Sequence, residues 1–375
     1  MNHEKRFAPD PAHGEPPGAL VLEVFTPADD ERPVCITGNF NDWQIDAAQY
    51  RLGKLGTGHY QFRFPHDRLP SFPLEYKYVK GSWDDEEVDE FGSTVQNRKI
   101  LRQETKVVDH VPRWKQKGLS YQPSLLPNIQ VISEHFEIPQ LIKTRRITAL
   151  LPHNYFDSDR RYPVLYLQDG QNLFDDYAPF GNWAVDKKLA VMAELGLSDI
   201  IIISIDHAAE ERLAEFTPSI PTRLGVGEGK KYVRFLADTL KPYVDKHFRT
   251  RPDRVHTGIG GSSMGGLISI YAGMMYPEVY GRLMVFSPSL WVAPNIPDVS
   301  LPFEAPQDVK IYIYAGGQEG SNMIPNVYRY REALEHKGMN LSSIDFRIAI
   351  DPDGTHNEEH WGREFPKAVK WLFFS

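Results

Sequence analysis

The sequence predicts an α/β domain, a mostly parallel sheet flanked by helices, preceded by a small all-β sandwich of the immunoglobulin-like kind. Three observations carry this expectation. From Leu20 the chain runs as short β stretches separated by turn residues, the texture of a sandwich of about 100 residues. Beyond Pro127, strands alternate with helices, as in βαβ units whose site lies at the carboxyl ends of the strands. Between one such strand and helix stands Gly261-Ser262-Ser263-Met264-Gly265, a G-x-S-x-G pentapeptide laid out as a nucleophile elbow.

Residues 1–18 are rich in Pro, Gly, His and charge and read as a disordered lead-in. The sandwich is expected over 19–110, with strands at Leu20–Phe25, Val34–Gly38, His59–Phe64, Leu74–Lys80 and Arg98–Leu101. Residues 111–127 hold three prolines and read as a linker, which leaves 128–375 for the α/β domain. There, Val131–Phe136 and Arg146–Leu151 are the opening strands, and Pro163–Leu167, Ile200–Ile205, Arg254–Ile259, Met284–Phe286, Lys310–Tyr314 and Phe346–Ile350 fill the sheet. Trp183–Leu195, Tyr232–Phe248, Gly266–Met275, Asn326–His336 and the segment carrying Trp361, Phe365, Val369 and Leu372 have helical spacing. No internal repeat or low-complexity tract interrupts this order.

Ser263 is the candidate nucleophile. The glycines at 261 and 265 suit a strained turn with backbone packed closely on both sides. Met264 opens the following helix, so its amide has no intrahelical acceptor and can face a developing oxyanion. A second donor is expected from the loop after Pro163–Leu167, where Gly170 lets the amide of Gln171 turn toward the site. An acid and then a histidine should follow the serine in the chain. Glu319, in the turn after Lys310–Tyr314, is the candidate acid, with Asp351 and Asp353 as alternatives.

Two histidines compete for the base. The Asp351-Pro352-Asp353-Gly354 turn places His356 on a loop with reach, whereas His360 falls at the start of the last helix, so His356 is preferred. The same residues read H-x-x-E-H, an inverted zinc-protease pattern. That reading needs both histidines on one continuous helix and a downstream carboxylate ligand, so a metal hydrolase is the minor alternative and no cofactor is expected.

With the triad, Leu167–Asn172, Tyr243–Lys246, Ser287–Trp291 and Gly354-Thr355-His356-Asn357-Glu358 with Trp361 make Arg161 to Trp371 resemble the esterase D, feruloyl esterase and enterochelin esterase group of α/β-hydrolases. The resemblance implies carboxylic ester hydrolysis through a serine acyl-enzyme without a metal. It supports Glu319 through the Ala315-Gly316-x-x-Glu319 turn, and it implies Trp183, His207 and Trp291 as pocket walls. Some relatives use aspartate, which leaves the acid open.

The sandwich has a second signal in Thr37–Trp43, Tyr76–Trp83 and Val95–Arg98. Over Val21 to Val108 it resembles the starch- and glycogen-binding modules of carbohydrate-binding families 20 and 48. The resemblance implies Trp43 and Trp83 as flat faces for a pyranose ring, with Lys77 and Asn97 at its edge, and an α-glucan as partner. The competing reading makes Trp43 a packing residue and the module a buttress.

The 375 residues suffice for two cores, and a net charge of −8 argues against nucleic acid or an anionic membrane as partner. The single cysteine, Cys35, excludes an intrachain disulfide. No run approaches a membrane span, and Met1–Phe7 lacks an apolar signal region, so a soluble, cytoplasmic protein is expected. The substrate reads as a small-molecule ester or an acylated carbohydrate, with a ferric-siderophore lactone as alternative. An inactive carbohydrate-binding scaffold is the alternative from another class.

Overall fold

The computed structural model describes residues 20–27, 30–65, 69–178, 181–197, 199–298, 308–336 and 344–375. The lead-in expected over 1–18 lies outside the described residues. The chain divides into two units, Met1–Ser120 and Tyr121–Ser375.

In the first unit, β1 (Val21–Phe25), β2 (Val34–Gly38), β3 (Gly53–Gly56), β4 (His59–Arg63), β5 (Leu74–Lys80), β6 (Glu87–Val88), β7 (Arg98–Ile100), β8 (Lys106–His110) and β9 (Arg113–Trp114) follow one another without an intervening α-helix among the described residues. They form sheets ordered β3-β4-β1-β8 and β2-β5-β7, with β6 and β9 as a separate pair. Leu22, Val24 and Phe62 from the first sheet share one buried cluster with Ile36, Tyr76 and Tyr78 from the second, the common core of a sandwich. Sequence reasoning missed β8, which has only two apolar residues to advertise it. Asp109 specifies it instead, accepting bonds from the Tyr76 and Tyr78 hydroxyls at 2.8 Å each and from Arg98 at 2.8 Å.

The second unit opens with β10 (Asn128–Ile138) and β11 (Lys143–Leu151), an antiparallel pair. Then come β12 (Val164–Gln168), α1 (Val185–Glu194), β13 (Ile201–Ile205), α2 (Arg212–Phe216), α3 (Gly229–Phe235), α4 (Lys241–His247), β14 (Thr257–Ser262), α5 (Met264–Met275), β15 (Arg282–Phe286), β16 (Val309–Gly316), α6 (Met323–His336), β17 (Ile344–Asp351) and α7 (Glu358–Phe373). The eight strands lie in the order β10-β11-β13-β12-β14-β15-β16-β17, and every pairing from β13 to β17 is parallel. β12, β13, β14 and β15 are buried at every residue, which is why they read as unbroken apolar or small-residue runs instead of alternating ones.

Two local differences from the sequence reading have physical causes. The strand expected from Arg254 begins at Thr257, because Arg254–His256 forms a 3-10 turn in which the His256 ring meets Asp253 at 2.6 Å. The helix expected over Tyr232–Phe248 carries a π segment at Leu236–Leu240. Pro242 follows it and has no N–H to give to an i−4 carbonyl, so the ladder slips there. No helix among the described residues is long and apolar enough to cross a membrane.

Candidate active site

Five neighbouring parallel strands deliver the candidate residues from their carboxyl ends: β12 leads to Gln171, β14 to Ser263, β15 to Ser287, β16 to Glu319 and β17 to His356. A cleft of about 390 Å³ opens there, lined by Ser263 and His356 together with Asp169, Asn172, His207, Arg212, Ser262, Glu358 and Trp361.

Ser263 bridges β14 and α5 with φ 55° and ψ −120°, a conformation that costs an L-residue about 1–3 kcal/mol. Close packing enforces the turn. A Cβ at position 265 would come within 2.9 Å of Asp169 Oδ2, and one at 261 within 3.0 Å of the Gln168 Cβ and the Gly265 backbone. The Ser263 amide donates to the Phe286 carbonyl at 2.9 Å, which ties the elbow to β15. Its hydroxyl lies 3.3 Å from that of Ser289. Met264 is the first residue of α5, as the sequence required for a free amide.

The Glu319 side chain is fully buried and accepts from three directions. Its Oε1 takes the Gly316 amide and the Ser287 hydroxyl, each at 2.7 Å, and its Oε2 lies 2.7 Å from His356 Nδ1. The Trp361 indole N–H donates to Ser287 Oγ at 2.9 Å, so the serine hydroxyl must turn its own proton toward Glu319. The edge of Trp361 also meets the His356 ring, with centroids 4.9 Å apart and planes at 84°. Sequence reasoning gave Ser287 and Trp361 no role. Both stand among the residues that carry the family resemblance, and by themselves they read only as a serine directly after a strand and a tryptophan one turn into the last helix.

Helix capping separates the two histidines. The Asn357 side chain accepts from the His360 amide at 3.1 Å and starts α7 at Glu358, which leaves His356 in the loop. Asp351 folds that loop by accepting from the amides of Asp353 and Gly354. The His360 ring lies 3.3 Å from Asp351 Oδ2, so the alternative acid sits beside the other histidine. His356 and His360 do not share a helix, as the H-x-x-E-H reading requires.

Gln171 lies in a 3-10 turn, Gly170–Asn172, directly after β12. Its side chain donates to the His207 carbonyl at 3.0 Å and accepts from the His207 amide at 2.9 Å. His207 Nδ1 accepts from the Ala209 amide at 2.9 Å, which leaves Nε2 to carry the proton of the neutral ring, and burial lowers the pKa of that ring. Burial raises the Glu358 carboxyl above its ordinary range. Trp183 and Trp291 are not among the residues lining the cleft. Trp183 is 2% exposed and stacks on Phe286 at 5.3 Å, a packing residue beneath the site, while Trp291 is exposed.

In the first unit, the rings of Trp43 and Trp83 lie 6.3 Å apart at 40°, and Trp83 is 40% exposed. Lys77 is buried with its ammonium 3.1 Å from Glu86, and the Asn97 amide donates to Glu75 at 3.1 Å.

Residues 139–372 match the family described as "Putative esterase". The chain is 24% identical over 242 residues to the uncharacterized protein YbbA of Bacillus subtilis, covering 61% of this chain and 92% of YbbA. It is 38% identical over 103 residues to an amylopullulanase of Thermoanaerobacter thermohydrosulfuricus, covering 26% of this chain and 6% of that enzyme. Among solved structures, a ferulic acid esterase from Anaeromyces mucronatus, in complex with ferulic acid, has a TM-score of 0.51 at 20% identity over 70% of this chain and 94% of its own. That likeness concerns the fold.

Proposed function

Because the chain belongs to this esterase family it is a carboxylic ester hydrolase, and we propose that Ser263 is its nucleophile, His356 its general base and Glu319 the acid that orients His356. Ser263 Oγ attacks the ester carbonyl while His356 Nε2 takes its proton. Glu319 holds the Nδ1 proton and stabilises the imidazolium that forms. The carbonyl oxygen, now negative, is met by the amides of Met264 and Gln171. The alcohol leaves with the proton from His356, and water, activated by the same histidine, releases the acid from the acyl-enzyme.

The observation that carries this reading is the 2.7 Å pairing of His356 Nδ1 with a buried Glu319, in a cleft that also holds a serine at φ 55°. The substrate is an acylated carbohydrate. The pair formed by half-buried Trp43 and exposed Trp83 supports that choice as a surface for a sugar ring. The 38% identity to an amylopullulanase over 103 residues supports it too. Hydrolysis of acylated oligosaccharides, feruloyl sugars and siderophore lactones, compared at matched leaving groups, tests it. A kcat/KM greatest for the lactone sinks the carbohydrate reading, and turnover of none of the three sinks both.

A further inference from the structure

A site for a neutral ester has no evident use for an arginine and two carboxylates, yet Arg212, Asp169 and Glu358 all line this cleft. Asp169 opens one short segment, and Arg212 and Glu358 each grip it. Asp169 takes a bidentate pair from Arg212, Nε to Oδ1 at 2.6 Å and Nη2 to Oδ2 at 2.8 Å, which fastens the segment to α2. The Gln171 amide group closes a two-point clamp on the backbone of His207, in the loop after β13, at 2.9 and 3.0 Å. The Asn172 amide donates to Glu358 Oε1 at 3.2 Å, which fastens the segment to the first turn of α7, two residues beyond His356. Beneath the turn there is no room to settle, since a Cβ at Gly170 would lie 2.5 Å from both Asp206 Oδ1 and Ser204 Oγ. Asp169 also holds a left-handed backbone, φ 58° and ψ 48°, which aspartate tolerates at a turn.

We propose that the side chains of Asp169, Gln171 and Asn172 are positioning groups that hold the Gln171 amide at the oxyanion, and that Arg212, His207 and Glu358 are their anchors. The proposal rests on that amide being the second oxyanion donor. A hydrogen-bond donor aimed at a developing charge helps in proportion to how little it must reorganise. Three side chains of one four-residue segment, tied to three different elements, remove the freedom of a loop position. The link through Glu358 also references the donor to the loop carrying His356, so the base and the oxyanion site keep one geometry.

The test uses the full chain, p-nitrophenyl acetate as substrate and an aryl trifluoromethyl ketone as transition-state analogue. Gln171→Ala is expected to lower kcat about 10- to 100-fold, below the roughly 10²- to 10³-fold cost of deleting a donor outright, with KM within about twofold. The inhibition constant of the ketone should rise by the same factor as kcat falls. Asn172→Ala and Glu358→Ala should each lower kcat by a similar, smaller factor, and the double variant by no more than either alone, because the two act through one bond. Glu358→Gln keeps the accepting oxygen and should restore most of the loss. Wild-type kcat in Gln171→Ala, or additive effects of Asn172→Ala and Glu358→Ala, overturns the brace. Lowered kcat with unchanged ketone affinity overturns the oxyanion assignment beneath it, and undiminished turnover by Ser263→Ala overturns the serine mechanism as a whole. Should Gln171→Ala fail to fold, the Asn172 and Glu358 cycle still decides.

Discussion

The two units present their notable residues in opposite ways. In the unit from Tyr121 to Ser375, polar groups distant in sequence converge: Glu319 meets His356 and Ser287, Ser287 meets Trp361, and Asn172 meets Glu358. In the unit ending at Ser120, the turn that resembles a sugar-binding signature is used largely to build itself. Asn41 caps it by accepting from the Gly38 amide at 3.0 Å and donating to the Gln44 carbonyl at 2.7 Å. Asn39 ties it to Pro73 and Glu75, and Phe40 packs against Tyr50 and Phe64. A motif whose residues spend their bonds locally is explained by folding alone. One whose members are brought together across five strands is not, and demands a chemical reason.

The largest expected effect breaks the comparison if it fails. Ser263→Ala should lower kcat by on the order of 10³ or more, with the melting temperature unchanged or raised because a strained position loses little by truncation. A fluorophosphonate probe should label Ser263 alone. Labelling elsewhere, or turnover near wild type, would mean that convergence at this cleft is not catalytic.

Next in size is the contrast between the two histidines. His356→Ala should cost about as much as Ser263→Ala, since nucleophile and base act as one unit. His360→Ala removes a contact to Asp351 and should lower kcat less than about tenfold, its cost falling on stability. Equal and complete losses in both variants, or inactivation by a chelator with recovery on adding zinc, would replace the serine reading by the metal one.

These contrasts follow what was legible in the sequence. The elbow and the two loops after β16 and β17 are contiguous stretches whose turn chemistry is written in Gly, Asp and Pro, so their placement could be read directly. The loop position of His356 followed from the Asp-Pro and Asp-Gly turn, and Asn357 supplies the cap that enforces it. Ser287 and Trp361 belonged to the resemblance, but their roles were not legible because their partners come from other elements across the sheet. For Trp183 the sequence left wall and packing residue open for the same reason, since nothing local distinguishes a tryptophan packed on Phe286 from one lining a cleft. β8 was silent because a buried carboxylate and two tyrosines, not an apolar run, hold it in place.

The sugar surface sharpens the comparison at a smaller scale. If Trp43 and Trp83 are a platform left over after the turn is built, titration calorimetry with maltoheptaose should give a Kd in the millimolar to high micromolar range, as expected of a shallow site with few buried contacts. Trp83→Ala should weaken that binding about tenfold or more, with the circular dichroism spectrum of the protein preserved. No binding by the wild type would leave the motif as folding information only.

The smallest expected effect compares buried carboxylates in the two units. Asp109 in the first lies among Tyr76, Tyr78 and Arg98, which supply its hydrogen bonds. Asp206, against the Gly170 turn, makes no ion pair among the described residues, and burial pushes its carboxyl up to about 6, with Arg146 and Arg145 opposing the shift and Glu134 and Asp169 adding to it. A carboxyl whose folded value is raised holds its proton more tightly in the native state. Its stabilising contribution is therefore complete below the ordinary aspartate range and is lost as pH rises through about 6. Asp206→Asn removes that dependence. The variant should gain in melting temperature relative to wild type at pH 8 by about 2–4 °C more than at pH 4.5, the shift that roughly 1 kcal/mol makes in a unit of this size. An equal difference at both pH values would show that Asp206 keeps one protonation state between them, so that the turn carrying Gln171 rests on a support that pH does not change.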